Sequence, residues 1–229
     1  MKAFLPIKHH SERVPGKNFL LLNGKPLFMW IVDALLACEK ISQIVIDTDS
    51  DDDYLQGLKS VDRIVLKKRA PSLIGDDVSM NLLIEDFLSD QINDVFLMTH
   101  ATNPFLSSKT IMAAIEKFNE EVKNDFDSLV SVNTFQSRFY DQGFNPVNHN
   151  PNVLLKTQDL PLVYEENSCL YIFTKKSFEG NNKNRIGKSP FLFTTPKFES
   201  IDIDTREDWN FAEHVASQFD SLTDSRRST

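Results

Sequence analysis

Glycine is scarce in this chain: seven among 229 residues, about half of ordinary usage. A loop that binds an anion here has few bare backbone amides to offer and must rely on side chains. Cysteine is rarer still. Cys38 and Cys169 sit inside apolar patterns without metal-ligand spacing, which argues against a disulfide framework or a cysteine zinc site and predicts two buried thiols in a reducing compartment. There is no run of about 18 apolar residues to read as a membrane span, and the opening Met-Lys-Ala-Phe-Leu-Pro reads as entry into a strand rather than a signal peptide. The expected location is cytoplasmic. Positive charge is also in deficit, with 25 Lys and Arg against 33 Asp and Glu. A net charge of -8 argues against nucleic acid as a partner and requires any anionic ligand to meet a local basic pocket. Internal repeats and low-complexity linkers are absent.

What is present is a regular alternation of apolar segments. Residues 3–7 form a short apolar run, and Leu27, Trp30, Ile31, Ala34, Leu35 and Cys38 then recur at helical spacing, with Pro26 suited to a first helical turn. Residues 43–49 read as a strand, followed by Ser50 as a helix cap with Asp51 to Asp53 at the positive end of the helix dipole. Residues 62–67 and 94–100 read as further strands. Between them Ser79 caps a helix whose Met80, Leu83, Ile84, Phe87 and Leu88 share one face. Ile111, Ala114, Ile115, Phe118 and Val122 mark another helix, and residues 127–132 another strand. This rhythm predicts an α/β fold, a mostly parallel twisted sheet with helices on both faces, as one domain over 1–220 with a polar tail at 221–229.

After residue 132 the rhythm breaks into a segment rich in Asn, Pro and aromatics, which reads as a small inserted lobe at about 134–166 that returns to the sheet at "SCLYIF". The stretch "FESIDIDTREDWNFAEHV" reads as a strand passing into a helix capped by Thr205 or Asp204. Ligands of such sheets lie beyond the carboxyl ends of the strands, which nominates the segments 8–18, 47–53, 67–79 and 100–107.

Within them, "KHHSERVPGKN" gathers Lys8, Arg13 and Lys17 with Ser11 and Asn18, enough fixed charge to neutralise a triphosphate. The competing reading is a solvated basic turn. Asp202 and Asp204 stand at i and i+2, so in a strand both carboxylates face one way. Magnesium held by these two and by substrate phosphates would relieve their repulsion, although a helix cap and an ion pair would also account for them. Asp47 and Asp49 form a second such pair, read here as capping the next helix. Arg69, Asp76 and Ser79 share a loop that could hold a ribose or base edge or simply be a capped connection. His100, Thr102 and Asn103 follow a strand at the expected ligand edge.

Taken in order, "LPIKHHSERVPGKN", "GKPL", "VIDTDS", "RAPSLIGDDVS", "THATNPF", "DSLVSV", "NSCLYIF" and "SIDIDTREDW" resemble the acylneuraminate cytidylyltransferase family, the CMP-sugar synthetases, over about residues 3–214. The resemblance implies a nucleotide-diphosphosugar-transferase-like fold and a homodimer built through the inserted lobe. It also implies magnesium-dependent transfer of CMP from CTP to a sugar hydroxyl with release of pyrophosphate. Lys8 stands where the family usually has arginine; Ser11, Lys17 and Asn18 match its triphosphate loop; Arg69, Asp76 and Ser79 match the cytidine loop; Asp202 and Asp204 match its metal-binding aspartates. Asn167 and Tyr171 match the segment lining the sugar pocket.

Two departures bear on the acceptor. His100 replaces the family's usual glutamine, and Glu165 and Glu166 stand where sialic-acid enzymes have an arginine for the sugar carboxylate. The expected acceptor is therefore an acidic sugar other than ordinary sialic acid, its carboxylate met by Arg138 or His149, or else a small aminated phosphonate paired with Glu165 or Glu166. Two further readings remain open: a glycosyltransferase holding a finished sugar nucleotide on Asp-x-Asp, and a catalytically silent nucleotide-binding subunit.

Overall fold

A computed structural model describes residues 1–92 and 95–224, with the backbone alone for 219–224. In chain order the elements are β1 (Lys2–Ile7), β2 (Leu21–Leu22), β3 (Lys25–Pro26), α1 (Leu27–Ala37), β4 (Gln43–Thr48), α2 (Asp53–Gly57) and β5 (Ile64–Lys68). Then follow α3 (Met80–Ser89), β6 (Val95–Thr99), α4 (Ser108–Glu121), β7 (Ser128–Phe135), β8 (Val163–Thr174), α5 (Lys175–Gly180), β9 (Pro190–Thr194) and α6 (Arg206–Asp224). Seven strands form one sheet in the order β5-β4-β1-β6-β8-β7-β9. Its neighbours pair in parallel except at β8, which runs antiparallel to both β6 and β7.

The apolar runs of the strands are explained by burial on both faces. Along β1, Ala3, Leu5 and Ile7 pack with Phe28, Ile31 and Leu35 of α1 and Ile111, Ile115 and Phe118 of α4. Phe4 points to the opposite face, among Leu83, Ile84 and Phe87 of α3, and stacks on Phe87 at 4.4 Å between ring centres. A third cluster seats α6, through Trp209, Ala212 and Ala216, on Val14, Leu27 and Ile203. Cys38 and Cys169 are both buried and unpaired, and burial pushes the Cys169 thiol up to about 12.

Several local expectations change. Pro26 precedes α1 as its cap residue and does not sit inside the first turn. Asp52, not Ser50, caps α2 by accepting from Tyr54 N. Ser79 begins α3 without a side-chain capping bond. The segment before α6 belongs to no strand, since β9 is Pro190–Thr194, and residues 221–224 of the expected tail continue α6. Asp94, expected to open a strand, and residues 225–229 of the tail lie outside the described residues. The inserted lobe begins as a long β7–β8 pairing that reaches Phe135 and Val163 before the chain leaves the sheet.

Candidate active site

At the carboxyl ends of β1, β5 and β6 lies a cavity of about 530 Å³. It brings together Lys8, Ser11, Arg13, Lys17, Asn18, Arg69, Asp76, His100, Thr102, Asp202 and Asp204, residues separated by up to 196 positions in the chain. The loop from 8 to 18 is a side-chain device, as its glycine poverty implies. Gly16 takes a φ of 67°, which turns the chain into a short 3-10 turn at Lys17–Phe19, and Val14 anchors the loop in the third core cluster. Lys17 is buried; its Nζ donates to the Ile203 carbonyl and lies 3.2 Å from Asp204 Oδ1. Arg13 Nη2 meets the other Asp204 oxygen at 3.0 Å, and Asn18 Nδ2 braces the loop by donating to Lys8 O at 2.9 Å. Lys8 bridges to Asp76 at 2.6 Å, an exposed pair of the kind that yields readily to a competing anion.

The two aspartates lie on a segment outside the sheet that is nevertheless fixed by three hydrogen bonds. Ile203 N donates to Thr102 O at 2.9 Å, Lys17 holds Ile203 O, and Asn103 Nδ2 approaches Ile201 O at 3.4 Å. Thr205 then caps α6 in a reciprocal box: Asp208 N donates to Thr205 Oγ1, and Asp208 Oδ2 accepts from Thr205 N at 2.7 Å. Asp204 is shared between Arg13 and Lys17. Asp202 is not so favoured: burial raises its carboxyl above the usual range, the hydrogen bond from Thr102 works against this, and the Asp204 charge adds to it. Its Oδ1 is shielded from solvent without a hydrogen-bond partner. An orphaned carboxylate oxygen beside a second carboxylate is what a hard divalent cation would satisfy, so these residues fit magnesium. No group of three or more His, Cys, Asp or Glu suited to a metal occurs among the described residues. The remaining ligands of such an ion would be phosphate oxygens and water.

The residues expected around the acceptor are only partly in the cavity. His100 lines it, with burial lowering its imidazole to about 4 and the Arg185 charge adding to that shift. Its Nε2 is shielded and without a partner. Thr102 also lines it. Asn103, Asn167, Tyr171, Glu165, Arg138 and Ser79 do not. Asn103 and Asn167 are buried braces, the latter donating to Asn133 Oδ1 and Thr195 Oγ1. Glu165 is exposed and accepts from Asn133, and Ser79 is exposed. Arg138 donates to Leu155 O within the lobe, where His149 contacts Tyr140 OH. Tyr171 lies fully buried behind the wall and donates to Glu166. Asp47 and Asp49 cap no helix: Asp47 pairs with Arg69, and Asp49 accepts from His9 N.

The residues missed in the sequence are Ser168 and Arg185, both lining the cavity. A register shift between Val130 and Val132 turns β8 through Ser168, held at a φ of 57°. The Arg185 guanidinium stacks 4.0 Å above the Tyr171 ring and donates to the Tyr171 hydroxyl at 3.0 Å, with Glu166 3.9 Å away. The only signal in the sequence is the basic stretch "NNKNRIGKSP", which no helix or strand period organises.

The fold and cavity define a class: an α/β protein whose carboxyl edge carries cations and paired carboxylates around one polar pocket, the form in which phosphorylated ligands are held. The family described as Cytidylyltransferase matches residues 3–214, and the chain belongs to that family. It is 30% identical over 232 residues to the CMP-N,N'-diacetyllegionaminic acid synthase of Legionella pneumophila, covering 93% of this chain and 94% of that one. Against the N-acylneuraminate cytidylyltransferase of Streptococcus agalactiae serotype V it is 25% identical over 214 residues, or 90% of this chain. The chain spans about half (51%) of that relative's length. Among solved structures, the CMP:2-keto-3-deoxy-manno-octonic acid synthetase complexed with CTP superposes with a TM-score of 0.65 at 12% identity, covering 95% of this chain and 98% of that one.

Proposed function

We propose that this protein transfers CMP from CTP to a hydroxyl of an acidic sugar, releasing pyrophosphate. The observation that carries the reading is the single cavity in which Lys8, Arg13 and Lys17 face Asp202 and Asp204, with Arg69 on its wall. Lys17 and Arg13 already neutralise a carboxylate, and a triphosphate offers them a denser array of the same oxygens. The acceptor oxygen attacks the α-phosphorus as the bond to the bridging oxygen of pyrophosphate breaks; the hydroxyl proton is released and pyrophosphate leaves. The loop cations stabilise the equatorial and leaving oxygens, so positioning and charge do most of the work. Magnesium held by Asp202 and Asp204 would supply further charge neutralisation at the phosphates.

Arg185 changes the reading of the acceptor. Glu166 is already engaged by Tyr171 and faced by Arg185, and Glu165 lies outside the cavity, which speaks against pairing either with an ammonium group. The cation at the acceptor end favours a carboxylate-bearing substrate. With a pKa of about 4, His100 is neutral at physiological pH and serves as a hydrogen-bond partner for the acceptor; it is too weak a base to retain the transferred proton.

The lobe carries the proposed homodimer contact. Phe144 is 88% exposed and Leu154 92%, with Tyr140, Val147 and Val153 also exposed in the same segment.

Pyrophosphate release from CTP, assayed across acidic sugars and against Asp204→Asn, tests the activity. Release that requires both CTP and an acidic acceptor and is lost in the variant is expected. Glycosyl transfer from a finished sugar nucleotide with no pyrophosphate released from CTP, or full activity in Asp204→Asn, would overturn it.

A further inference from the structure

Asp47, next to last in β4, does not line the cavity, while its partner Arg69 does. Both side chains are buried, Asp47 completely. Arg69 commits Nε to Asp47 Oδ1 at 2.6 Å and Nη2 to the Asp47 carbonyl at 3.1 Å. Its own backbone is tied down as well, with Arg69 N donating to Thr48 O at 2.8 Å. Two bonds to one residue fix both the position and the plane of the guanidinium. Nη1 meets no hydrogen-bond partner among the described residues. The carboxylate itself is left with Oδ2 buried and unpartnered. A buried ion pair with an unsatisfied oxygen adds little net stability over an apolar pair, and here one of its members faces the cavity.

We infer that Asp47 is a positioning residue for nucleotide selection, holding Arg69 so that its uncommitted donors meet the pyrimidine edge of the bound nucleotide. The inference rests on the reading above that CTP occupies this cavity. Cytosine presents its O2 and ring N3 as adjacent acceptors, whereas uracil carries a hydrogen on N3 and opposes a guanidinium with a donor. A guanidinium locked in plane rewards the first edge and penalises the second, because its donors cannot turn away from the mismatch. One released from Asp47 can rotate, and the discrimination falls. Asp47 acts through Arg69 alone and need not touch the nucleotide.

Calorimetric titration of CTP and UTP into the full chain and into Asp47→Asn tests this. The wild type is expected to prefer CTP, and the folded variant to lose about tenfold or more of the CTP:UTP ratio, chiefly through weaker CTP binding. An unchanged ratio in a folded Asp47→Asn overturns the positioning role and leaves the cytidylyltransferase reading standing. A wild-type chain that binds neither nucleotide overturns that reading and the role of Asp47 with it. If the variant does not fold, nitrogen-15 NMR of the wild-type protein decides. The Arg69 Nε–H is expected as a separate, slowly exchanging resonance before any nucleotide is added, and exchange as fast as that of exposed arginines overturns the inference.

Discussion

Asp202 and His100 show what the cavity costs at the level of single side chains. Burial raises the Asp202 carboxyl, so the folded chain holds a proton that the unfolded chain has already lost just above pH 3.8, and this group's contribution to stability falls as pH rises through that window. At neutral pH Asp202 is therefore a burden in the ligand-free protein. Asp202→Asn is expected to raise the melting temperature without ligand, by about 2–4 °C for each kcal/mol relieved in a chain of this size, while abolishing transfer. A scanning calorimetry trace with an unchanged or lower transition would count against a strained metal ligand. His100 behaves differently because it is a base. Its folded value is about 4 against an ordinary 6.5, so between these the unfolded chain binds more protons. Stability from this group is complete above about pH 6.5 and is lost as pH falls toward 4. Proton NMR should find the His100 ring neutral at pH 5.5; an imidazolium there would contradict the effect assigned to burial and the Arg185 charge.

The segment that presents Arg185 depends on one glycine. Gly187 adopts a φ of 63°, and a Cβ built there would fall 2.3 Å from Asp127 Oδ1 and 2.6 Å from Ser128 Oγ. The Asp127 carboxylate itself accepts from Lys188 N and Ser189 N, and Ser128 Oγ donates to Ile186 O, so the loop is stapled to the start of β7 on both sides of the glycine. Gly187→Ala is expected to destabilise the fold by about 1–3 kcal/mol, read from urea midpoints, and to raise the KM for the acceptor more than that for CTP. Equal effects on both substrates would separate this loop from the acceptor end. The same elements explain what the sequence could and could not reveal. Strands such as β1 and β4 and the helices α1, α3 and α4 were legible because their apolar spacing is set by burial against a large core. The shared location of the basic 8–18 loop and the Asp202–Asp204 pair was legible because their residue types are chemically unusual at a sheet edge. Ser168 and Arg185 were not, because a bulge and an irregular loop place them through tertiary contacts that carry no period. Asn167 and Tyr171 are a different case. The family resemblance places them at the sugar pocket, whereas here they lie outside the cavity lining and their polar atoms hold neighbours in place.

At the scale of the whole molecule, one sheet edge collects Lys8, Arg13, Lys17, Arg69 and Arg185 around a cavity in a chain whose net charge is -8. This arrangement concentrates anion attraction in one place and leaves the remaining surface acidic. The lobe adds a second organised surface. The double variant Phe144→Asp with Leu154→Asp is expected to halve the sedimenting mass of the proposed dimer while leaving the circular dichroism of the sheet unchanged; an unaltered mass would remove the lobe from the contact. The central claim, however, is that side-chain cations of the 8–18 loop hold the triphosphate where glycine-rich loops use backbone amides. Titration calorimetry of CTP into the wild type and Lys17→Ala, at low and high salt, tests it most directly. The account requires at least about tenfold weaker CTP binding in the variant, with the difference shrinking as salt screens the lost charge. Equal CTP affinity in the two proteins at low salt would contradict it.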